Sequence, residues 1–113
     1  MKIKIEQTRI IEEGKHEGVI VEVKYREQPF QYTDIVIEFG EGLRVIDGYP
    51  TNITQDSKLG LLLVDFGAKL EVGKEIDPAD VLVGKKCSFM TINNITDRGT
   101  YANVVKGSLK PIQ

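Results

Sequence analysis

Polar and apolar residues alternate with a period of two at the start of the chain, in Lys2-Ile3-Lys4-Ile5-Glu6, and again over residues 15–26. The second stretch sets Val19, Val21, Val23 and Tyr25 on one side and Ile20, Glu22, Lys24 and Arg26 on the other. Successive side chains of a strand point to opposite faces, so this period predicts strands. The mixed side of residues 15–26 puts at least part of that face in solvent or against a ligand. Glu27-Gln28-Pro29-Phe30-Gln31 then breaks the pattern, because Pro29 has no amide to donate and its neighbours are polar; a loop is expected. Alternation resumes over residues 32–39, with Ile35, Ile37 and Phe39 as the apolar set. Gly40-Glu41-Gly42 turns the chain into Leu43-Arg44-Val45-Ile46-Asp47-Gly48-Tyr49, which completes a hairpin.

After Asp56-Ser57 the period changes. Leu59, Leu62, Leu63, Phe66 and Leu70 recur at spacings of three and four, which predicts a helix capped by Asp56 or Ser57 and ended at Gly67 or Gly73. Asp77-Pro78-Ala79-Asp80 reads as the start of a short helical turn, with Asp77 as cap and Pro78 at the first position, where its missing amide costs nothing. Residues 85–92 and 100–109 form two further strands, joined by the turn formers of residues 93–99. The order is strand, loop, strand, turn, strand, helix, strand, loop, strand. It is the order of the OB fold: a mainly β, five-stranded Greek-key barrel with one α-helix between strands 3 and 4. Leu59, Leu62, Leu63 and Phe66 would plug the open end of the barrel. Another small barrel, or an α+β sandwich with one helix, is the alternative.

The 113 residues, 41% hydrophobic and 28% charged, fit one soluble domain and leave no room for a second core. Residues 1–13 are expected to add a strand to it or to form an arm. The single Cys87 excludes a disulfide scaffold and suits a reducing compartment. No apolar run approaches the ~20 residues that span a bilayer, and the first nine residues alternate charge with isoleucine instead of forming a signal peptide. A cytoplasmic location without membrane partners is expected. The formal net charge is −2, so overall charge does not coat DNA. Its distribution is uneven: residues 85–113 hold Lys85, Lys86, Arg98, Lys106 and Lys110 against Asp97 alone, a net +4 that leaves −6 for the first 84 residues.

Several short segments resemble one family. They are His16-Glu17-Gly18-Val19-Ile20-Val21 at a strand start, the helix Ser57-Lys58-Leu59-Gly60-Leu61-Leu62, and the strand entry Asp80-Val81-Leu82-Val83-Gly84-Lys85-Lys86-Cys87. A closing Gly99-Thr100-Tyr101-Ala102-Asn103-Val104-Val105 follows, with Lys110-Pro111 just beyond. Together they resemble the small OB-fold single-stranded DNA-binding proteins carried by many phages and prophages, over residues 15–111. The resemblance implies a non-catalytic protein that binds single-stranded DNA with little sequence preference in phage or prophage replication and recombination. It calls for no cofactor, and its partners would be the strand itself and replication or recombination proteins.

Sequence-tolerant binding of a single strand needs cations that follow the phosphates and aromatic faces on which bases stack, each stack contributing ~1–3 kcal/mol. In an OB fold the ligand crosses strands two and three, bounded by the loops between strands one and two and between four and five. The candidate site there comprises Lys24, Arg26, Arg44, Lys86 and Arg98 for phosphates and Phe30, Tyr32 and Tyr101 for bases. Each has a plainer reading. Phe30 could anchor its loop, Tyr32 could be an ordinary surface tyrosine, the arginines could be simply solvated, and Lys86 could protect a sheet edge. Parity leaves the side taken by Tyr101 open. Tyr49 beside Pro50 reads as closing a strand end, and Phe89 as core. Asp34 and Glu38 share the outward parity of Tyr32, and negative charge there opposes phosphate. A barrel of this size covers few nucleotides, so a homodimer or cooperative array is expected, with Ile3, Ile5, Ile10 and Ile11 offering one interface.

Enzyme chemistry finds little support in the sequence. His16 and Cys87 fall on different strands with no partner implied, Glu12-Glu13 reads as solvated surface, and Asp77 with Asp80 reads as a helix cap. Gly40-Glu41-Gly42 lacks the helix and lysine of a phosphate loop. A non-enzyme without metal is expected. The competing function is an OB-fold protein-protein interaction module, for which the acidic first 84 residues suit a basic partner. Asp34 and Glu38 exposed in the groove would favour that reading.

Overall fold

The computed structural model describes residues 1–3, 11–97 and 99–112. The elements are β1 (Gly14–Arg26), β2 (Tyr32–Phe39), β3 (Leu43–Pro50), α1 (Lys58–Asp65), α2 (Pro78–Leu82), β4 (Lys86–Thr96), β5 (Gly99–Val104) and β6 (Lys110–Pro111). All pairings are antiparallel, in the order β3-β2-β1-β4-β5, with β6 added to the first residues of β4. The expected closed barrel of five strands is therefore replaced by a six-stranded sheet. β3 and β5 approach each other, but among the described residues no ladder joins them.

β1 carries the first departure from simple alternation. Ile20 lies opposite Ile37 while Glu22 lies opposite Val36, so Val21 is an inserted residue, a β-bulge. One extra residue reverses the parity of everything beyond it. Before the bulge the even positions face inward, and Ile20, assigned by alternation to the mixed side, is fully buried. After the bulge Val23 packs on the core while Lys24 and Arg26 face outward. Gly18 faces a close approach just ahead of it: a Cβ there would stand 2.5 Å from the Glu38 carbonyl oxygen.

Two helices, not one, separate β3 from β4. Ser57 caps α1, its Oγ accepting from the Gly60 amide at 3.0 Å. The helix stops at Asp65, so Leu70 of the expected periodic set lies beyond it. The Gly67 amide bonds the Val64 carbonyl and the Ala68 amide bonds the Leu63 carbonyl, with Gly67 at φ 100°. Those two bonds satisfy the Val64 and Leu63 carbonyls in a Schellman arrangement, and glycine adopts the required backbone without strain. Asp77 caps α2 by accepting from Ala79, and Pro78 opens it.

One core forms between the sheet and the helices. Ile20, Ile35, Ile37, Leu59, Leu63, Leu82 and Cys87 are fully buried there, and Phe89 and Leu109 nearly so.

The second hairpin is longer and tighter than its composition suggests. Residues 93–96, expected as loop, continue β4, with Asn93 opposite Ala102 and Thr96 opposite Gly99. The β-branched Ile92, Ile95 and Thr96 suit a strand and outweigh the two asparagines. β5 ends at Val104 instead of continuing to residue 109. There the Ser108 hydroxyl donates to the Val105 carbonyl at 2.6 Å and accepts from the Met90 amide at 3.1 Å, turning the chain toward β6. At the N-terminus Ile3 is exposed and Ile11 packs on the core, whereas Ile5 and Ile10 lie outside the described residues.

Candidate nucleic-acid interface

The pairing register arranges the outward side chains of β1, β2 and β3 in rows. Arg26 stands beside Tyr32 and then Pro50, Lys24 beside Asp34 and Gly48, and Glu22 beside Val36 and Ile46. A further row joins Lys86 of β4 to Val19, Glu38 and Arg44. Residues directly opposite across a ladder share a face. The bulge in β1 brings Lys24 and Arg26 onto this face, so the backbone irregularity is what places two of the candidate cations.

Every one of these cations except Lys86 meets a carboxylate. Arg26 donates from Nε and from Nη2 to the two oxygens of Asp34, the second contact at 3.0 Å. Arg44 meets Glu38 at 3.0 Å and Lys24 meets Glu22 at 3.7 Å. The last two pairs are surface contacts of the kind that contributes ~0–1 kcal/mol. The Arg26 pair differs, because Asp34 is only 6% exposed. Its hydrogen bond to Asp34 holds the Arg26 guanidinium even more firmly protonated than usual. The same guanidinium lies 5.1 Å above the centre of the Tyr32 ring, a cation–π contact. Gly48 leaves room for the cluster: a Cβ there would stand 3.0 Å from Asp34 Oδ1 and 3.3 Å from the Tyr32 ring.

The β4–β5 hairpin rises beside this face and leaves a groove of about 780 Å³. Lys24, Val36, Arg44 and Ile46 line it from the sheet, and Asn93, Tyr101 and Asn103 from the hairpin, with Ile11 also contributing. Cations, amide groups and an aromatic ring thus face one open channel. Tyr101, whose side the sequence leaves open, lines this groove and is about half exposed.

Of the eight candidate residues, Lys24, Arg44 and Tyr101 line the groove, and Arg26 and Tyr32 adjoin it in the neighbouring rows. Phe30 stands apart in the loop after β1, 71% exposed. Lys86 lies at the start of β4, beyond Val19. Arg98 is outside the described residues. Asp34 and Glu38 do share the outward face of Tyr32, but as bonded partners of arginines instead of free charges. Asn93, Asn103 and Ile46 had no place in the sequence-derived site. Extending β4 through Asn93, and carrying the parity of Tyr101 two residues on to Asn103, would have found the first two.

The nucleophilic inventory is held in structural contacts. The His16 ring donates from Nε2 to the Glu12 carbonyl at 2.7 Å and packs on Phe39 and Phe89, with ring centres 5.0 and 5.7 Å away. Cys87 is fully buried, its thiol donating to the Gly18 carbonyl, and desolvation pushes that thiol up to about 11. Glu13, read from sequence as solvated, accepts from the Asn93 amide at 2.8 Å and ties the chain before β1 to the hairpin. Among the described residues no three His, Cys, Asp or Glu side chains cluster as a metal site, and no helix is long and apolar enough to cross a membrane. No known protein family and no curated protein sequence matches the chain.

Proposed function

We propose that the chain is a non-catalytic OB-type protein that binds single-stranded DNA with little sequence preference in the groove between the β1–β3 face and the β4–β5 hairpin. The strand order β3-β2-β1-β4-β5, with β3 and β5 drawn together, supports an OB-like reading of the open sheet. The observation that carries the function is the groove, where Lys24 and Arg44 stand across from Tyr101, Asn93 and Asn103. Cations there follow phosphates, and Tyr101 offers a face for a base. Arg26 and Tyr32 extend the path along the sheet, Phe30 stands ready at the loop to stack a further base, and Lys86 supplies an outlying phosphate contact. The setting is phage or prophage replication and recombination, inside the cell, as a dimer or cooperative array.

Its test is a fluorescence anisotropy titration of a labelled oligothymidine at two salt concentrations, with duplex DNA as control. Binding to the single strand alone, weaker at higher salt and weakened by Lys24→Ala, Phe30→Ala or Tyr101→Ala, is the expected result. A flat titration at low salt overturns the reading.

One observation favours a protein-interaction module instead: Glu22, Asp34 and Glu38 neutralise Lys24, Arg26 and Arg44 in place. A partner peptide would find a face of matched charges around Val36 and Ile46. The same flat titration, together with capture of a defined partner through this face, would replace DNA by that partner.

A further inference from the structure

A second cavity lies on the other side of Tyr32, between β3, α1 and residues 106–110, and encloses about 380 Å³. That volume falls within the ~300–1,000 Å³ typical of small-molecule sites. Pro50, Leu61, Leu62 and Leu109 give it apolar walls. Asp47 and Tyr49 also line it, projecting inward from β3 beside Ile35 and Thr33.

Asp47 is the unusual member. It is 6% exposed, in an apolar setting where an ionised group needs partners. One of its oxygens, Oδ2, accepts from the Tyr49 hydroxyl at 2.6 Å. The other, Oδ1, has no bond to the protein, and no lysine reaches the carboxylate within ion-pair distance among the described residues. It is not sealed in, since no described side-chain oxygen is fully buried without a partner. Oδ1 therefore opens into the cavity as an unused acceptor. Lys58, Lys106 and Lys110 line the same cavity. Lys110 is held by Asp65 at 3.1 Å, whereas Lys58 and Lys106 have no such pair among the described residues. Asp65 lines the cavity as well, paired with Lys110, so a ligand matching this lining has hydrogen-bond donors for Asp47, a flat or apolar body, and an anionic group for Lys58 and Lys106.

We propose that the cavity binds a nucleobase carrying a 5′-phosphate, guanine in preference to the other bases, with Asp47 accepting from the base edge and Lys58 and Lys106 facing the phosphate. Guanine presents adjacent N1–H and N2–H donors, which a carboxylate accepts as a pair, each oxygen having two lone pairs. Thymine presents one N–H between two carbonyls, and those would face Asp47 with like charge. Adenine and cytosine each set an amino donor next to a ring nitrogen that only accepts. The nucleotide has two sources, a free mononucleotide or one unit of a single strand. Tyr32 lines this cavity and stands beside Arg26 on the outer face, so a strand lying there could turn one base inward. The pocket does not depend on strand binding in the groove.

Calorimetric titration with guanosine 5′-monophosphate, thymidine 5′-monophosphate and inorganic phosphate tests it. Guanosine monophosphate is expected to bind, thymidine monophosphate about tenfold more weakly or less, and phosphate alone not measurably. Asp47→Asn should abolish the preference for guanine. Lys58→Ala and Lys106→Ala, on exposed side chains that leave folding intact, should each weaken guanosine monophosphate about tenfold. An oligothymidine with one central guanosine, binding more tightly than plain oligothymidine, would assign the site to a strand. Equal binding of the two oligomers, with guanosine monophosphate still bound, would assign it to the free nucleotide. No heat from guanosine monophosphate at millimolar concentration overturns the proposal, as does equal affinity for the two nucleotides or indifference to both lysine variants. Failure of plain oligothymidine to bind would count against the groove and leave the pocket standing.

Discussion

Replacing Gly60 by alanine should destabilise the protein, although helix propensity alone says the reverse. Gly60 lies in the first turn of α1, where alanine would add about 1 kcal/mol of helix stability. The local packing forbids it. An alanine Cβ at this position would stand 1.9 Å from the Thr54 carbonyl oxygen and 2.9 Å from Ser57 Oγ. Ordinary contact begins near 3.4 Å, so backbone must move by more than an ångström. That backbone is tied down: the Thr54 amide donates to Ser57 Oγ, the Ser57 amide to Thr54 Oγ1, and the Gly60 amide to Ser57 Oγ, all at 3.0 Å. Losing the cap costs ~1 kcal/mol, and the two other bonds ~1 kcal/mol each. Against the gain in propensity, a net loss of about 2 kcal/mol is expected. Urea unfolding reads it as a midpoint lowered by about 1 M at unchanged slope. Lys58→Ala, exposed in the same helix, should stay within ~0.5 kcal/mol of the parent. A Gly60→Ala protein as stable as the parent, or more so, would refute the reasoning.

Other outcomes follow from the charges and the thiol. Arg26→Ala strands the buried Asp34 carboxylate, so it should lower the melting temperature more than the double change Arg26→Ala with Asp34→Asn; equal melting temperatures in a thermal scan would count against a bonded pair. Burial raises the Asp47 carboxyl above the usual carboxylate range, with the Tyr49 hydroxyl and Lys106 pulling it back in part. The folded chain then keeps that proton to higher pH than the unfolded chain does. Stability from this group is greatest below the unfolded pKa and falls as pH rises to the folded one. Asp47→Asn should flatten that part of a urea-midpoint-against-pH series, and an unchanged slope would contradict the assignment. Cys87, fully buried with its thiol pushed up to about 11, should resist a thiol reagent at neutral pH until urea unfolds the chain; rapid native labelling would contradict its placement.

The strands and α1 were legible because alternation and the three-four spacing are written directly in residue order. Ser57 and Asp77 are found as caps for the same local reason. The bulge at Val21 was not legible, since one inserted apolar residue in a run of alternating valines leaves the pattern intact, and only pairing with Ile37 and Val36 exposes it. Asn93 and Asn94 read as turn formers, yet pairing with β5 carries them as strand. The layout of the candidate face was legible in the sequence, but not its charge pairing. Parity placed Tyr32, Asp34 and Glu38 on one face, while the bonds from Arg26 and Arg44 to those carboxylates depend on register across two hairpins. Asp47 sat in plain view between Val45 and Tyr49 on the inward parity of β3, and that parity was its only signal.

The groove is tested most directly by titrating ¹⁵N-labelled protein with oligothymidine and following each amide. Binding as proposed moves Lys24, Arg44, Ile46, Asn93 and residues 101–103 together, with changes that shrink as salt is raised. An unperturbed spectrum at saturating oligomer, or changes confined to α2 and residues 69–76, would contradict it.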